Sequence, residues 1–205
     1  MVARFATSPP NAELMAFAAT ELERGSTHLL DIGCGAGSNA VPLARTGWNV
    51  FGLDLSEPML EAANRRVQEE DLAENLRFAR APMEQLPVED RSFDFIIAHG
   101  IWNLARSAAE FRQAVREAAR AARPNAALFI FTFSRNTLPP ETQPVPGESF
   151  VFTEFSGAPQ CFLTEKQLVE ELANAGFAQE SGVPIKEYPR AGNRPTIYEG
   201  IFRRT

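Results

Sequence analysis

The stretch THLLDIGCGAGSNAVPLARTGWNVFGLD, residues 27–54, determines the fold of this chain. It opens with a short apolar run, after which Gly33, Gly35 and Gly37 fall within five positions. Apolar residues then recur at helical spacing, and a second apolar run leads to Asp54. A glycine-dense turn between an apolar run and an amphipathic segment is typical of strand, tight turn and helix. The stretch therefore predicts a βαβ unit.

The spacing of the glycines argues against a dinucleotide cofactor. The dinucleotide fingerprint G-x-G-x-x-G requires its third glycine, or an alanine, where this chain has Ser38. Asp31, beside the turn, would repel a pyrophosphate and attract a cation. Asp54, at the end of the second strand, is placed to accept hydrogen bonds from both hydroxyls of a ribose. S-adenosylmethionine fits this pattern because it has an ammonium, a sulfonium and a ribose but no phosphate.

The segments DIGCGAG, residues 31–37, and VFGLD, residues 50–54, resemble two motifs of the class I S-adenosylmethionine-dependent methyltransferases. These are motif I and the acidic motif that follows it. The resemblance implies an α/β fold: a seven-stranded Rossmann-like sandwich with strand order 3-2-1-4-5-7-6 and an antiparallel strand 7. It also implies that Asp31 helps to hold the methionine end of the cofactor and that Asp54 binds the ribose.

The segment APMEQLP, residues 81–87, resembles the family loop D-x-x-x-L-P that brackets the adenine. Met83 and Glu84 occupy matching positions, although proline and methionine stand where the family often has an acid. The predicted set of cofactor contacts is Asp31, Gly33, Cys34, Gly35, Asn39, Asp54, Leu55, Met59, Pro82, Met83, Glu84 and His99.

His99 and Trp102 follow the fourth predicted strand, at the sheet edge where ligands of parallel sheets bind. Three roles are open to His99, namely cofactor contact, general base and packed loop residue. We predict a cofactor contact and take His99 as the candidate catalytic residue. Trp102 could stack on the acceptor or fill space beneath a lid.

The chain divides into a leading helix and a catalytic domain. Residues 1–26 are predicted to form an N-terminal helical cover, to which Arg4 and Phe5 could contribute. Residues 27–205 are predicted to form the methyltransferase domain, because strand and helix patterns alternate through them.

The alternating pattern breaks at about residues 135–162, where prolines and phenylalanines interleave. Long irregular segments are often functional. We predict a flap here, with Phe152 and Phe155 lining an apolar acceptor pocket together with Trp102. The alternative is a surface crossing that prolines stiffen and whose aromatic side chains pack on the core.

The composition excludes several classes of protein. With 205 residues the chain can bury one core without cross-links, and Cys34 and Cys161 form neither a disulfide framework nor a metal-ligand spacing. We therefore predict no metal. The net charge of −6 gives no general attraction to nucleic acid. The sequence has neither an apolar run of membrane-spanning length nor a signal-peptide core, which predicts a cytoplasmic protein that does not bind membranes.

These observations predict S-adenosylmethionine-dependent methyl transfer to a small-molecule acceptor by in-line displacement, aided mainly by positioning. The protein would act as a monomer or homodimer. Two alternatives belong to other classes of protein. One is a nicotinamide-dependent oxidoreductase, and the other is a module that binds the cofactor without transferring its methyl group.

Overall fold

A computed structural model gives the structure of residues 8–189, 192 and 194–205. Arg4 and Phe5, which the sequence assigns to a cover, lie outside these described residues. Within these ranges no helix combines the length and the apolar character that crossing a bilayer needs.

The strands of the described residues form one large sheet and one small hairpin. The large sheet has the order β3-β2-β1-β4-β5-β10-β8, in which β10 is antiparallel to β5 and β9 also pairs with β10. β6 and β7 form the hairpin. The strands are β1 (His28–Ile32), β2 (Asn49–Asp54), β3 (Leu76–Arg80), β4 (Phe93–His99), β5 (Ala122–Phe133), β6 (Val151–Phe152), β7 (Gln160–Cys161), β8 (Phe177–Gln179), β9 (Lys186–Tyr188) and β10 (Ile197–Arg204).

The predicted strand order is confirmed, with one refinement at its edge. The sixth predicted strand is split into β8 and β9, which pair with opposite ends of β10. A turn at Ser181 and Gly182 separates them, and Gly182 has φ +76°, a conformation that glycine adopts readily. The seven expected strands therefore appear as an eight-stranded sheet.

Helices cover both faces of the sheet and bury a core on each. The helices are α1 (Ala12–Glu23), α2 (Ala40–Arg45), α3 (Glu57–Glu69), α4 (Ala108–Ala121) and α5 (Glu165–Asn174). Side chains alternate across each strand, so in β5 Phe129 packs on the α1 face and Leu128 on the α4 face. The result is a three-layer α/β sandwich.

Both ends of α1 are fixed to the rest of the molecule. At its start, the Asn11 side chain accepts a hydrogen bond from the Leu14 amide, which caps the helix. Near its end, Glu21 is buried and accepts hydrogen bonds from Arg203 and Arg24. Burial alone would raise the pKa of Glu21, but these two arginines hold it below its usual value. The helix is therefore anchored to β10.

The segment 135–162 is attached to the domain at several points. Arg135 donates hydrogen bonds to a series of carbonyl groups within the segment, and Glu148 accepts one from the Ala108 amide at the start of α4. Phe150 is buried and packs edge to face on Phe111 of α4, with ring centroids 5.4 Å apart. The segment that the sequence predicts to be a flap is therefore attached to the core.

Candidate active site

Two adjoining cavities lie over the carboxyl ends of β1, β2 and β4, with volumes of about 510 and 370 Å³. We call them together the strand-end cleft. The residues that line both are Gly33, Asp54, Ser56, Ile101 and Leu104. This is the edge at which parallel sheets bind ligands.

The glycine turn forms the floor of the cleft. The amides of Gly33 and Cys34 both donate to the Leu53 carbonyl, at 2.7 and 2.9 Å, which ties the turn to β2. Gly33 has φ +75°, and a Cβ there would lie 2.6 Å from the Cβ of Ile101. Gly35 has φ +54°, but a Cβ there would meet no atom within 4 Å. Gly33 is therefore needed for packing, whereas Gly35 keeps space open in the cleft.

Backbone amides hold the Asp54 carboxylate over this floor. One oxygen accepts from the Gly35 amide at 2.9 Å, and the other accepts from the Ser56 amide at 2.8 Å. The side chain is half-buried and lines the cleft. Each carboxylate oxygen can accept a second hydrogen bond, so Asp54 is both fixed in place and able to bind a pair of hydroxyls.

Asp31 is a buried carboxyl group that faces the cleft. It is 1% exposed, and its Oδ2 atom has no hydrogen-bond partner among the described residues. Burial, assisted by the nearby charge of Asp54, raises the pKa of Asp31 to about 7. Native proteins pair their buried carboxylates, so an unpaired one that lines a cavity indicates a site for a cation.

His99 ends β4 and lies against Phe131 of β5. The two rings stack with centroids 4.3 Å apart, and the Asn11 side-chain nitrogen lies 3.3 Å from His99 Nε2. Burial lowers the pKa of His99 to about 4, so the imidazole is neutral at physiological pH and Nε2 can accept from Asn11. A general base works best with a pKa near the working pH, which disfavours the base role.

The cleft brings together the predicted cofactor contacts with one exception. The 510 Å³ cavity is lined by Asp31, Gly33, Cys34, Gly35, Asn39, Asp54, Met59 and His99, and the 370 Å³ cavity by Gly33, Asp54, Leu55, Met83 and Glu84. Pro82 is half-buried and lines neither cavity. Leu55 and Leu104 are both exposed beside the cleft, which offers apolar surface to a flat ring.

A further cavity of about 750 Å³, which we call the side cavity, adjoins the strand-end cleft. Asn11 and Phe131 line both spaces. In the sheet register Ile197 of β10 lies between Phe133 of β5 and Tyr188 of β9. Residues directly opposite in antiparallel strands share a face, so these three side chains form one apolar row across the sheet. All three line the side cavity.

Comparison with known proteins identifies the fold. Residues 30–130 match the family model of a methyltransferase domain. A demethylmenaquinone methyltransferase from Lactiplantibacillus plantarum is 33% identical over 118 residues, which are 56% of this chain and 48% of that protein. The chain is similar to the class I S-adenosylmethionine-dependent methyltransferases. The chain spans about half the length of the curated relatives that it matches.

Solved methyltransferase structures share the fold over most of the chain. A Methanosarcina mazei S-adenosylmethionine-dependent methyltransferase has a TM-score of 0.70 at 23% identity, covering 87% of this chain and 92% of that chain. The 1,6-didemethyltoxoflavin-N1-methyltransferase of Burkholderia thailandensis, with 1,6-didemethyltoxoflavin and S-adenosylhomocysteine bound, has a TM-score of 0.72 at 21% identity. That match covers 95% of this chain and 79% of that chain.

The structure places the predicted acceptor contacts away from the cavities. Trp102 is fully buried and packs edge to face on Phe111, 6.1 Å between centroids, beneath the cleft rather than in it. Phe152 is 3% exposed and packs with Phe162. Phe155 is half-buried against Phe162 and Phe133. Trp102, Phe152 and Phe155 line none of the three cavities. Packing on aromatic neighbours buries more of their apolar surface than facing an open pocket would.

Sequence reasoning missed Asn11 and Glu199, which border the candidate site. The side-chain amide of Asn11 donates a hydrogen bond to Glu199 and also approaches His99. The backbone amide of Asn11 donates to Asn39 Oδ1 at 3.1 Å. Glu199 is 6% exposed and lies opposite Phe131 in the sheet register. A buried acid inside an otherwise apolar terminal strand was the available signal, since such acids are rarely buried without a partner.

Proposed function

We propose that this protein transfers a methyl group from S-adenosylmethionine to a small molecule. The observation that supports the proposal most directly is the unpaired, buried oxygen of Asp31. A phosphate-bearing cofactor would meet repulsion at this position, whereas an ammonium would supply the missing partner. Among the two alternatives, a nicotinamide-dependent oxidoreductase is therefore disfavoured.

The residues of the strand-end cleft fit the parts of S-adenosylmethionine. Asp31 would take the ammonium, and Asp54 would accept from the ribose hydroxyls while two amides hold it in place. Leu55, Met83 and Leu104 would flank the adenine. Gly35 leaves room for the cofactor because nothing projects from it. When bound, the cofactor supplies a methyl group already activated by its sulfonium.

The protein's own contribution is positioning and charge control. Holding the reacting groups in line supplies much of the acceleration in a displacement of this kind. His99 stays neutral because of its lowered pKa, so it does not repel a sulfonium nearby. The side cavity would hold the acceptor, because it adjoins the cleft at Asn11 and Phe131. We keep residues 1–26 as a proposed cover, since Asn11 reaches the cleft ahead of α1.

The names of the relatives support a small acceptor. By its name, the Lactiplantibacillus plantarum protein methylates demethylmenaquinone, and the Burkholderia thailandensis protein is solved with 1,6-didemethyltoxoflavin. Both acceptors are small and contain rings. A cytoplasmic location, the absence of nucleic-acid and membrane partners, and a monomeric or homodimeric state stay predictions from the sequence.

Calorimetric titration with S-adenosylmethionine, S-adenosylhomocysteine and NADH tests the proposal. We expect the two adenosyl compounds to bind and NADH not to bind, and Asp31→Asn to weaken S-adenosylmethionine binding because the amide has no charge for the ammonium. Release of S-adenosylhomocysteine with a panel of ring-containing acceptors then separates the enzyme from a binding module. Tight binding of NADH alone would refute the proposal, and binding of S-adenosylmethionine without turnover of any acceptor would favour the module.

A further inference from the structure

We propose that the side cavity selects acceptors with a flat apolar body and a carboxylate, held so that the carboxylate points away from the methyl donor. This inference rests on the proposed function, and it specifies the class of acceptor. The charges, walls and register of the side cavity support it.

The side cavity has the size and walls of a site for a flat organic molecule. Its volume of about 750 Å³ lies within the range of small-molecule pockets. Phe131, Phe133, Tyr188 and Ile197 supply aromatic and aliphatic surface, and prolines complete the rim. Tyr188 is 36% exposed, so one ring face is available to a ligand. Aromatic rings stack favourably on flat apolar groups.

The charged groups of the side cavity leave one positive charge available. Three described residues that line it are charged, namely Glu13, Arg194 and Glu199. Glu13 forms an ion pair with Lys186 at 2.8 Å, and Glu199 accepts a hydrogen bond from Asn11. Arg194 is exposed and makes no hydrogen bond or ion pair with the residues that the structure describes. Its guanidinium can bind a carboxylate through two parallel hydrogen bonds.

The sheet register orients such a ligand. Glu199 lies opposite Phe131, at the border with the strand-end cleft, whereas Ile197 lies opposite Phe133, one row farther out. Arg194 precedes Ile197 in the chain and therefore belongs to the outer end of the side cavity. A carboxylate bound by Arg194 would leave the opposite end of the molecule toward the cleft. The methylated atom is then a hydroxyl, amine, thiol or carbon remote from the carboxylate, and the product is not a methyl ester.

Two matched pairs of probes test the inference, namely 4-hydroxyphenylacetate with 4-hydroxyphenylacetamide and indole-3-acetate with indole-3-acetamide. Each pair differs in the carboxylate alone. Calorimetry measures their binding to the protein with and without saturating S-adenosylhomocysteine. At low salt we expect each acid to bind about fivefold more tightly than its amide, the upper end of the range for an ion pair with an exposed arginine.

Three variants identify the source of this preference. Arg194→Gln should reduce the preference for the acid to within about twofold, whereas Arg65→Gln should leave it unchanged, because Arg65 is an exposed arginine of α3 that lines none of the three cavities. Tyr188→Ala should weaken acid and amide binding equally, by about fivefold, through lost stacking. Its melting temperature should stay within about 2 °C of wild type, because the side chain is partly exposed.

The outcomes separate this inference from the proposed function. An acid preference that Arg194→Gln removes supports the inference. Equal binding of acids and amides overturns it, as does a preference that survives Arg194→Gln or failure of all four probes to bind. Failure of S-adenosylhomocysteine to bind overturns the proposed function instead, and the probe titrations without that compound still test the side cavity.

Discussion

The strand-end cleft and the side cavity adjoin each other but are built in different ways. The glycine turn, Asp31 and Asp54 come from one continuous stretch, and backbone amides fix the parts that would contact the cofactor. The side cavity combines β5, β9 and β10 with the start of α1, so its residues are distant in sequence and its walls are side chains. Local sequence therefore encodes the floor of the cleft, whereas the side cavity arises only when strands distant in sequence pair in register.

The match to the methyltransferase family model includes the floor of the strand-end cleft but not the side cavity. The family model covers residues 30–130, which include the glycine turn and Asp54, and it ends just before Phe131. All the described residues that line the side cavity lie outside the match. The family model therefore informs the strand-end cleft, whereas the proposed acceptor site rests on the structure of this chain.

The largest effect is expected from Gly35→Val, which tests whether the cleft is free space for the cofactor. A Cβ at Gly35 meets no protein atom, so the added methyl groups would occupy the cleft itself. We expect cofactor binding to weaken by at least about a hundredfold while circular dichroism shows a folded protein. Gly47→Val is the matched control, because Gly47 also has a positive φ and open space but lies outside the cleft. Equal binding by Gly35→Val and wild type would mean that the turn is only structural.

Asp54→Ala is expected to weaken cofactor binding by about 2 to 4 kcal/mol, through loss of charge-assisted hydrogen bonds to the ribose. Asp54→Asn should have a smaller effect, because its amide keeps one oxygen that can accept. Calorimetry gives both affinities, and far-ultraviolet circular dichroism checks the fold. An alanine variant that binds as tightly as wild type would place the ribose elsewhere.

Phe152→Ala tests the boundary of the acceptor site. Because Phe152 is buried against Phe162, we expect a loss of about 3 kcal/mol of stability, with cofactor affinity and the acceptor's Michaelis constant unchanged. Thermal unfolding and steady-state kinetics on the same preparation measure both quantities, and Tyr188→Ala should show the reverse pattern. A raised Michaelis constant at an unchanged melting temperature would restore the flap as part of the acceptor site.

The smallest effect is a pH dependence of cofactor binding that originates at Asp31. In the free protein Asp31 keeps its proton up to about pH 7, and a bound ammonium would favour the ionised form. Binding should therefore release a proton, and affinity should fall by up to about tenfold for each pH unit below 7. Calorimetry at pH 6 in two buffers with different ionisation enthalpies measures the proton release. An Asp31→Asn variant that retains the release would assign it to another group.

The raised pKa of Asp31 also affects the stability of the free protein, but with a pH dependence opposite to that of cofactor binding. Between the ordinary pKa of 3.8 and about 7, the unfolded chain has lost the Asp31 proton while the folded protein keeps it. The free protein should therefore lose stability as pH rises through this window. Asp31→Asn should remove that contribution, which urea unfolding at pH 4.5 and pH 7 would measure.

Much of the fold and of the cleft could be predicted from the sequence because the signals are local. Such local signals include the capping box of Thr164 and Gln167, which starts α5, and Asn125, a residue type that tolerates the left-handed conformation and has φ +66°. The burial of Trp102 and Phe152 in the core could not be predicted, because an apolar side chain is equally suited to lining a pocket and to packing in a core. The side cavity required the register of β10, which no local pattern specifies.

The contacts of Asn11 also bear on the order of folding. Asn11 forms a hydrogen bond with Glu199, which lies 188 residues away in the sequence. This contact at the start of α1 can form only after the last strand has joined the sheet. Closing so long a loop is entropically unfavourable and slows the formation of such contacts. During synthesis, the segment that contains the glycine turn and Asp54 leaves the ribosome well before β10 does. The glycine turn and Asp54 can therefore assemble first, whereas the contacts of Asn11 at the border of both cavities form only when the start of α1 meets β10.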